Sequence, residues 1–153
     1  MKKYLVIIMV LALGACRTGT PSSVGPMGPS GNLTGASTSR AAVELFLQAA
    51  KAQDLQTMSA IWGGTNGAAR DMLPRDQLEK REVIMQCYLA HDSFRIVSDA
   101  HRNGKELYQV SLTKGPVTRQ TTVSAVQGPS SRWYVSDVAL EPLSDVCRES
   151  SKR

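Results

Sequence analysis

No apolar run in this 153-residue chain approaches the roughly 20 residues that a membrane-spanning helix needs. The longest, from Tyr4 to Ala15, is about a dozen residues, too short to span and the right length for a signal segment. Runs of like charge are missing as well. The 18 Lys and Arg against 13 Asp and Glu give +5, but no five or six like charges stand together. Scattered charge is a solvated surface, so nucleic acid is not an expected partner. There are two His, His91 and His101, far apart, and no clustered carboxylates. That leaves no metal-ligating set and no expected cofactor. No glycine-rich phosphate loop follows a strand, because Gly63, Gly64 and Gly67 come after a helical segment. No internal repeat and no catalytic motif is visible.

What is present begins at the N-terminus. Lys2 and Lys3 precede the apolar run, which ends in Leu13-Gly14-Ala15-Cys16. This order resembles a bacterial lipoprotein signal, with Cys16 as the residue that receives the lipid. The resemblance implies a cleaved signal peptide over 1–15 and an envelope protein whose membrane partner is reached through acyl chains on Cys16. Each buried methylene contributes ~0.8 kcal/mol, so several chains hold firmly where one holds marginally. Arg17 stands where Asp would mark inner-membrane retention. In a Gram-negative host the resemblance therefore implies the outer membrane, facing the periplasm. Losing Lys2 and Lys3 leaves 16 basic residues against 13 acidic, so much of the basic balance belongs to the signal.

Residues 16–38 are mostly Gly, Pro, Ser and Thr after the lipidated Cys. They cannot bury a core and are expected to form a flexible linker. One domain follows over 39–147, with a short tail at 148–153. Cys87 and Cys147 remain once Cys16 is lipidated. In an oxidising compartment they are expected to form a disulfide, with two buried free thiols as the alternative.

Within the domain the helical pattern comes first. Ala42, Val43, Phe46, Leu47 and Ala50 recur at helical spacing after the cap candidates Ser37, Thr38 and Ser39. Asp54 is a second cap, ahead of Leu55, Met58, Ile61 and Trp62, and Gly63-Gly64 stops that helix. Residues 65–73 read as loop. Pro74 suits the first turn of a third helix, running to about Ala90. Its expected face is Leu78, Arg81, Met85 and Tyr88, with Ile84 and Cys87 beside it. The period then changes to two. Strands are predicted over 93–100, 106–112, 117–126 and 132–140, with Asn103-Gly104 as a two-residue hairpin turn. The fold class is α+β, helices on one face of a curved four-stranded antiparallel sheet.

The order of elements, the opening Arg40-Ala-Ala-Val-Glu-Leu-Phe-Leu helix, the Lys51-Ala-Gln-Asp54 turn and the Trp133-bearing last strand resemble the NTF2-like (SnoaL-like) superfamily. That resemblance implies a cone, three N-terminal helices packed on the sheet, often with an internal pocket. Tyr88, Phe94, Tyr108 and Trp133 are the candidates to line it, although aromatics on strands are usually core. Enzymes of the superfamily place a carboxylate inside the cone. Asp92, Asp99, His91 and Tyr134 are available, and Asp137 is the acid singled out, since alternation puts it with Trp133 and Val135. None falls in a catalytic motif, so the protein is expected not to be an enzyme. The leading expectation is a non-catalytic module that binds or scaffolds a small apolar ligand or an envelope protein. A SnoaL-like or isomerase-like enzyme and an assembly subunit of an envelope complex are the alternatives, and a homodimer through the sheet remains open.

Overall fold

The computed structural model describes residues 33–150. The expected signal peptide over 1–15, the lipidation residue Cys16 and most of the expected linker lie outside the described residues. Helix α1 (Ser39–Ala52) starts where Thr38, in extended conformation, accepts a hydrogen bond from the Ala41 N–H. Ala42, Val43, Phe46, Leu47, Ala49 and Ala50 form its buried stripe, and Gln53, at φ 58°, ends it in the left-handed region. Helix α2 (Leu55–Ile61) follows at once. Its cap Asp54 accepts from the hydroxyl and then the backbone N–H of Thr57, which hold that carboxyl below its ordinary range.

The glycines after α2 do more than stop a helix. Gly63–Gly64 (β1) pairs antiparallel with Gly67–Ala68 (β2). A Cβ on Gly63 would stand 2.1 Å from the Gly67 carbonyl oxygen, so only glycine fits there. A single helical turn, α3 (Ala69–Met72), occupies part of the expected loop, and α4 (Arg75–Tyr88) follows Pro74.

Four strands then form an antiparallel meander in the order β3-β4-β5-β6: Ser93–Arg102, Lys105–Lys114, Val117–Gln127 and Trp133–Val138. The turn between β3 and β4 places Asn103 at φ 52° and Gly104 at φ 72°, the paired positive angles of a two-residue hairpin. Tyr108, Val110 and Leu112 of β4 and Val123 and Ala125 of β5 share one face and join the core with Val135 of β6. Helix α1 packs on that face, its Val43, Phe46 and Leu47 at 0% exposure. The architecture is α+β with a four-stranded antiparallel sheet.

Both ends of the described chain are stitched to this body. Ala36 forms an antiparallel bridge with Trp133, and Gly35 donates its N–H to the Ala60 carbonyl. Gly35 has φ +69° and its Cα lies against the Tyr134 ring, where a Cβ would approach within 2.8 Å. The linker expected through residue 38 therefore ends earlier, because 34–36 are part of the folded domain. At the other end, helix α5 (Ser144–Ser150) is tied to α4 by a Cys87–Cys147 disulfide. The helix covers 148–150, which the sequence pattern assigns to the tail. Leu143, in a 3-10 turn before α5, is fully buried, and Val146 is 8% exposed. The Arg119 guanidinium of β5 pairs with Asp145 at 2.5 Å and holds that carboxyl below its ordinary range.

Candidate functional site

Helix α4 presents most of its expected face, with Leu78 buried and Met85 and Tyr88 packed against the core, but not all of it. Leu78 and Glu82 are its buried residues, whereas Val83 and Ile84 are 55% and 54% exposed and Arg81 is exposed. Burying Glu82 creates a site. It lies deep in a cleft of about 360 Å³ between α2, α4 and the segment around α3. Leu55, Gln56 and Ser59 form the α2 wall. Leu78 and Glu79 of α4 and Leu73 face them, with Arg70 and Arg75 completing the lining.

Glu82 is 2% exposed, and its Oε1 is buried without a hydrogen-bond partner among the described residues. Loss of water destabilises the ionised form, and the neighbouring Glu79 adds like-charge repulsion. Together they push the Glu82 pKa up to about 7. One turn further on, Gln86 carries a buried Nε2 that is also unpartnered. The other charges around the cleft are better matched. Arg75 and Glu79 pair at 2.7 Å across one helical turn, while Arg70 makes a looser contact of 3.9 Å with Asp71.

A measurable consequence follows from the raised pKa. The folded state holds the Glu82 proton more tightly than the unfolded chain does. Stability therefore falls as pH rises from about 4.5 to about 7 and levels off above. The full shift corresponds to about 3 kcal/mol, and water at the cleft mouth reduces this to about 2. Glu82→Gln, which does not ionise, is expected to flatten this dependence and to be more stable than the parent at pH 8. Urea unfolding of both proteins at pH 5 and pH 8 reads the difference; parallel losses in the two proteins would overturn the assignment.

The opposite side of the molecule offers a different surface. Residues alternating with the core-facing ones project from the outer face of the sheet. Ser98 stands opposite Gln109, Gln109 opposite Thr122, and Ser111 opposite Gln120. The Thr122 hydroxyl donates to Gln109 Oε1 across the strands at 3.1 Å, and Thr113 and Thr118 hydroxyls meet at 3.0 Å. The centre of this face is uncharged, with Arg95 and Asp137 at its flanks.

The residues singled out in the sequence fall elsewhere. Asp137 is exposed and does not share the buried face of Val135, because the β5–β6 register shifts between Ser124 and Ala125 and breaks the alternation. Neither Arg132 nor Arg119 pairs with it: the first binds the Thr34 and Gly35 carbonyls, the second Asp145. Tyr108 is 5% exposed and its hydroxyl meets Ser39 Oγ at 2.7 Å. Tyr88, Phe94 and Trp133 pack against the core. None of these four lines the α2–α4 cleft.

His91 is buried. It donates from Nδ1 to the Leu89 carbonyl at 2.6 Å and sets its ring edge-on to Phe94 at 5.7 Å. Burial lowers its pKa, the Leu89 hydrogen bond opposing and the nearby Lys51 reinforcing that shift. His101 is exposed and pairs with Glu106 at 2.8 Å near the hairpin tip. Asp92 accepts from the Gly115 N–H and caps the turn after β4. Among the described residues, no group of three or more His, Cys, Asp or Glu side chains is placed to hold a metal ion.

Glu82 was not among the sequence candidates. The available signal was a Glu four residues from both Leu78 and Gln86, a position that periodicity alone assigns to the Leu78 face. No family model matches this chain, and no curated protein matches it.

Proposed function

We propose that this protein is a lipid-anchored envelope module with an NTF2-like cone, held at the membrane through Cys16, that binds an envelope protein and performs no chemistry. The carrying observation is that the space between α1 and the sheet is occupied by side chains. Phe46, Leu47, Val110, Val123 and Val135 are all at 0% exposure, with Tyr108 and Leu112 beside them. A small apolar ligand in the cone would compete with these groups for the same volume. A SnoaL-like enzyme would need an acid there, and Asp137 is exposed. The broad uncharged outer face of the sheet is the surface this leaves for a partner. Interfaces deplete charge at their centre and keep it at the rim, the pattern of Gln109, Gln120 and Thr122 between Arg95 and Asp137. The same surface serves an assembly subunit or a homodimer.

Two measurements test this reading. Cys16→Ser is expected to leave the membrane fraction; unchanged retention overturns the anchor. A photo-crosslinking side chain at Gln109 is expected to trap a product in cells, and the same group at the exposed Gln77 of α4 is expected not to. A product of twice the chain mass identifies a second copy, and another mass identifies a different envelope protein. Equal trapping at both positions, or none at Gln109, overturns the sheet-face interface.

A further inference from the structure

The α2–α4 cleft lies apart from the sheet face and carries features that a protein–protein surface does not need. Buried polar atoms are nearly always hydrogen-bonded, because an unpaired one has lost its water without replacement. Glu82 Oε1 is such an atom, on a side chain 98% removed from solvent and lining an open cleft. A core that had merely tolerated this residue would be more stable with Gln or Leu there.

The charges of the cleft narrow the chemistry of what could repair it. Arg75 and Glu79 satisfy one another at 2.7 Å. Among the described residues, Glu82 has no cationic partner at salt-bridge distance, and Arg70 has only the 3.9 Å contact with Asp71. One acid deep in the cleft and one guanidinium in its lining are thus incompletely matched, with Leu55, Leu73 and Leu78 supplying apolar wall. A cation against Glu82 would counter both causes of its discomfort, lost hydration and repulsion from Glu79. An anion beside Arg70 would gain a charge-assisted hydrogen bond. The volume, about 360 Å³, is at the small end of ligand sites, which run from ~300 to ~1,000 Å³.

We propose that this cleft binds a small amino-acid-like zwitterion, its ammonium group donating to Glu82 and its acid group accepting from Arg70, with a short methylene chain between the leucines. Binding fixes Glu82 as a carboxylate. Near neutral pH it is therefore accompanied by release of a fraction of a proton from that side chain, because the ligand's ammonium keeps its own.

The test is isothermal titration of the full-length lipidated chain in non-ionic detergent, in amine-free buffers near pH 7 that differ in ionisation enthalpy. The probes are glycine, β-alanine and γ-aminobutyrate, with butylamine and butyrate as single-charge controls. At least one zwitterion is expected to bind ten-fold or more tighter than either control, with a heat that depends on the buffer. Glu82→Gln is expected to weaken that zwitterion at least ten-fold and to abolish the buffer dependence. Arg70→Gln, at a partly exposed position where folding is not at stake, is expected to bring its affinity down to that of butylamine. Failure of all three zwitterions to bind, equal binding of butylamine, or binding unchanged in either variant overturns the proposal. None of these outcomes bears on crosslinking at Gln109, so the two readings fail separately.

Discussion

Reducing the Cys87–Cys147 bond, or replacing Cys87 with Ser, is expected to lower the unfolding free energy by about 4 kcal/mol. The two cysteines are 60 residues apart in sequence, and the loop they close contains the whole four-stranded sheet. On the chain-entropy account, a cross-link over a loop of that size removes about 4 kcal/mol of freedom from the unfolded chain. The folded state loses something as well. Cys147 anchors α5, whose Val146 and preceding Leu143 close one end of the core. With the bond gone, the remaining ties to that end include the Arg119–Asp145 pair, which is about 40% exposed on both sides and therefore weak. Urea unfolding with and without reductant measures the difference. A change below about 1 kcal/mol would mean that α5 is held by packing and that the loop is already constrained in the unfolded chain.

Phe46→Ala is expected to cost a further, independent amount of about 3–5 kcal/mol. Phe46 is fully buried on α1 within the same cluster as Leu47, Val110 and Val123. Truncation removes its transfer energy and leaves a void that aliphatic neighbours on strands cannot easily fill. Phe46→Leu is expected to cost much less. The pair of variants also tests whether the interior is closed. If Phe46→Ala were nearly neutral, the interior would be loose enough to admit a ligand, and the argument that directs partners to the outer sheet would lose its basis.

The sequence made some of this architecture easy to read and hid the rest for identifiable reasons. The stripe Ala42, Val43, Phe46, Leu47 and Ala50 marks α1 because all five residues are apolar and helical spacing is the only period that gathers them. Asn103-Gly104 marks the β3–β4 hairpin because few other pairs accept two positive φ angles. Helix α4 was legible as a helix and in most of its inward face, since Leu78 is buried and Met85 and Tyr88 pack against the core. Val83 and Ile84 nevertheless face solvent while Glu82 is buried at the cleft, so the rule that apolar residues go inside does not reveal that part of the helix. The candidate cleft was invisible for that reason. Asp137 misled for another: alternation assumes an unbroken ladder, and the irregularity opposite Ser124 and Ala125 cannot be read from residue types. The β1–β2 pair was missed because two glycines before a turn look like a helix stop, and the close approach of Gly63 to Gly67 depends on where the rest of the chain has gone.

The segment 34–36 has a mechanical consequence. It joins the domain at the start of β6. Ala36 and Trp133 exchange both backbone hydrogen bonds, Arg132 reaches back to the Thr34 and Gly35 carbonyls, and the Thr34 hydroxyl meets that of Tyr134 at 3.1 Å. A pull from the N-terminal side is thus delivered directly into a strand of the main sheet. If a partner grips the outer face of that sheet, tension passes from Ala36 through β6 to β5 and out again, across laterally paired backbone. Helices α3 and α4 are off this load path, but α2 is joined to it by the Gly35 hydrogen bond to the Ala60 carbonyl and, just beyond its end, by the Trp62–Val135 bridge, so tension would reach the α2 wall of the cleft around Glu82.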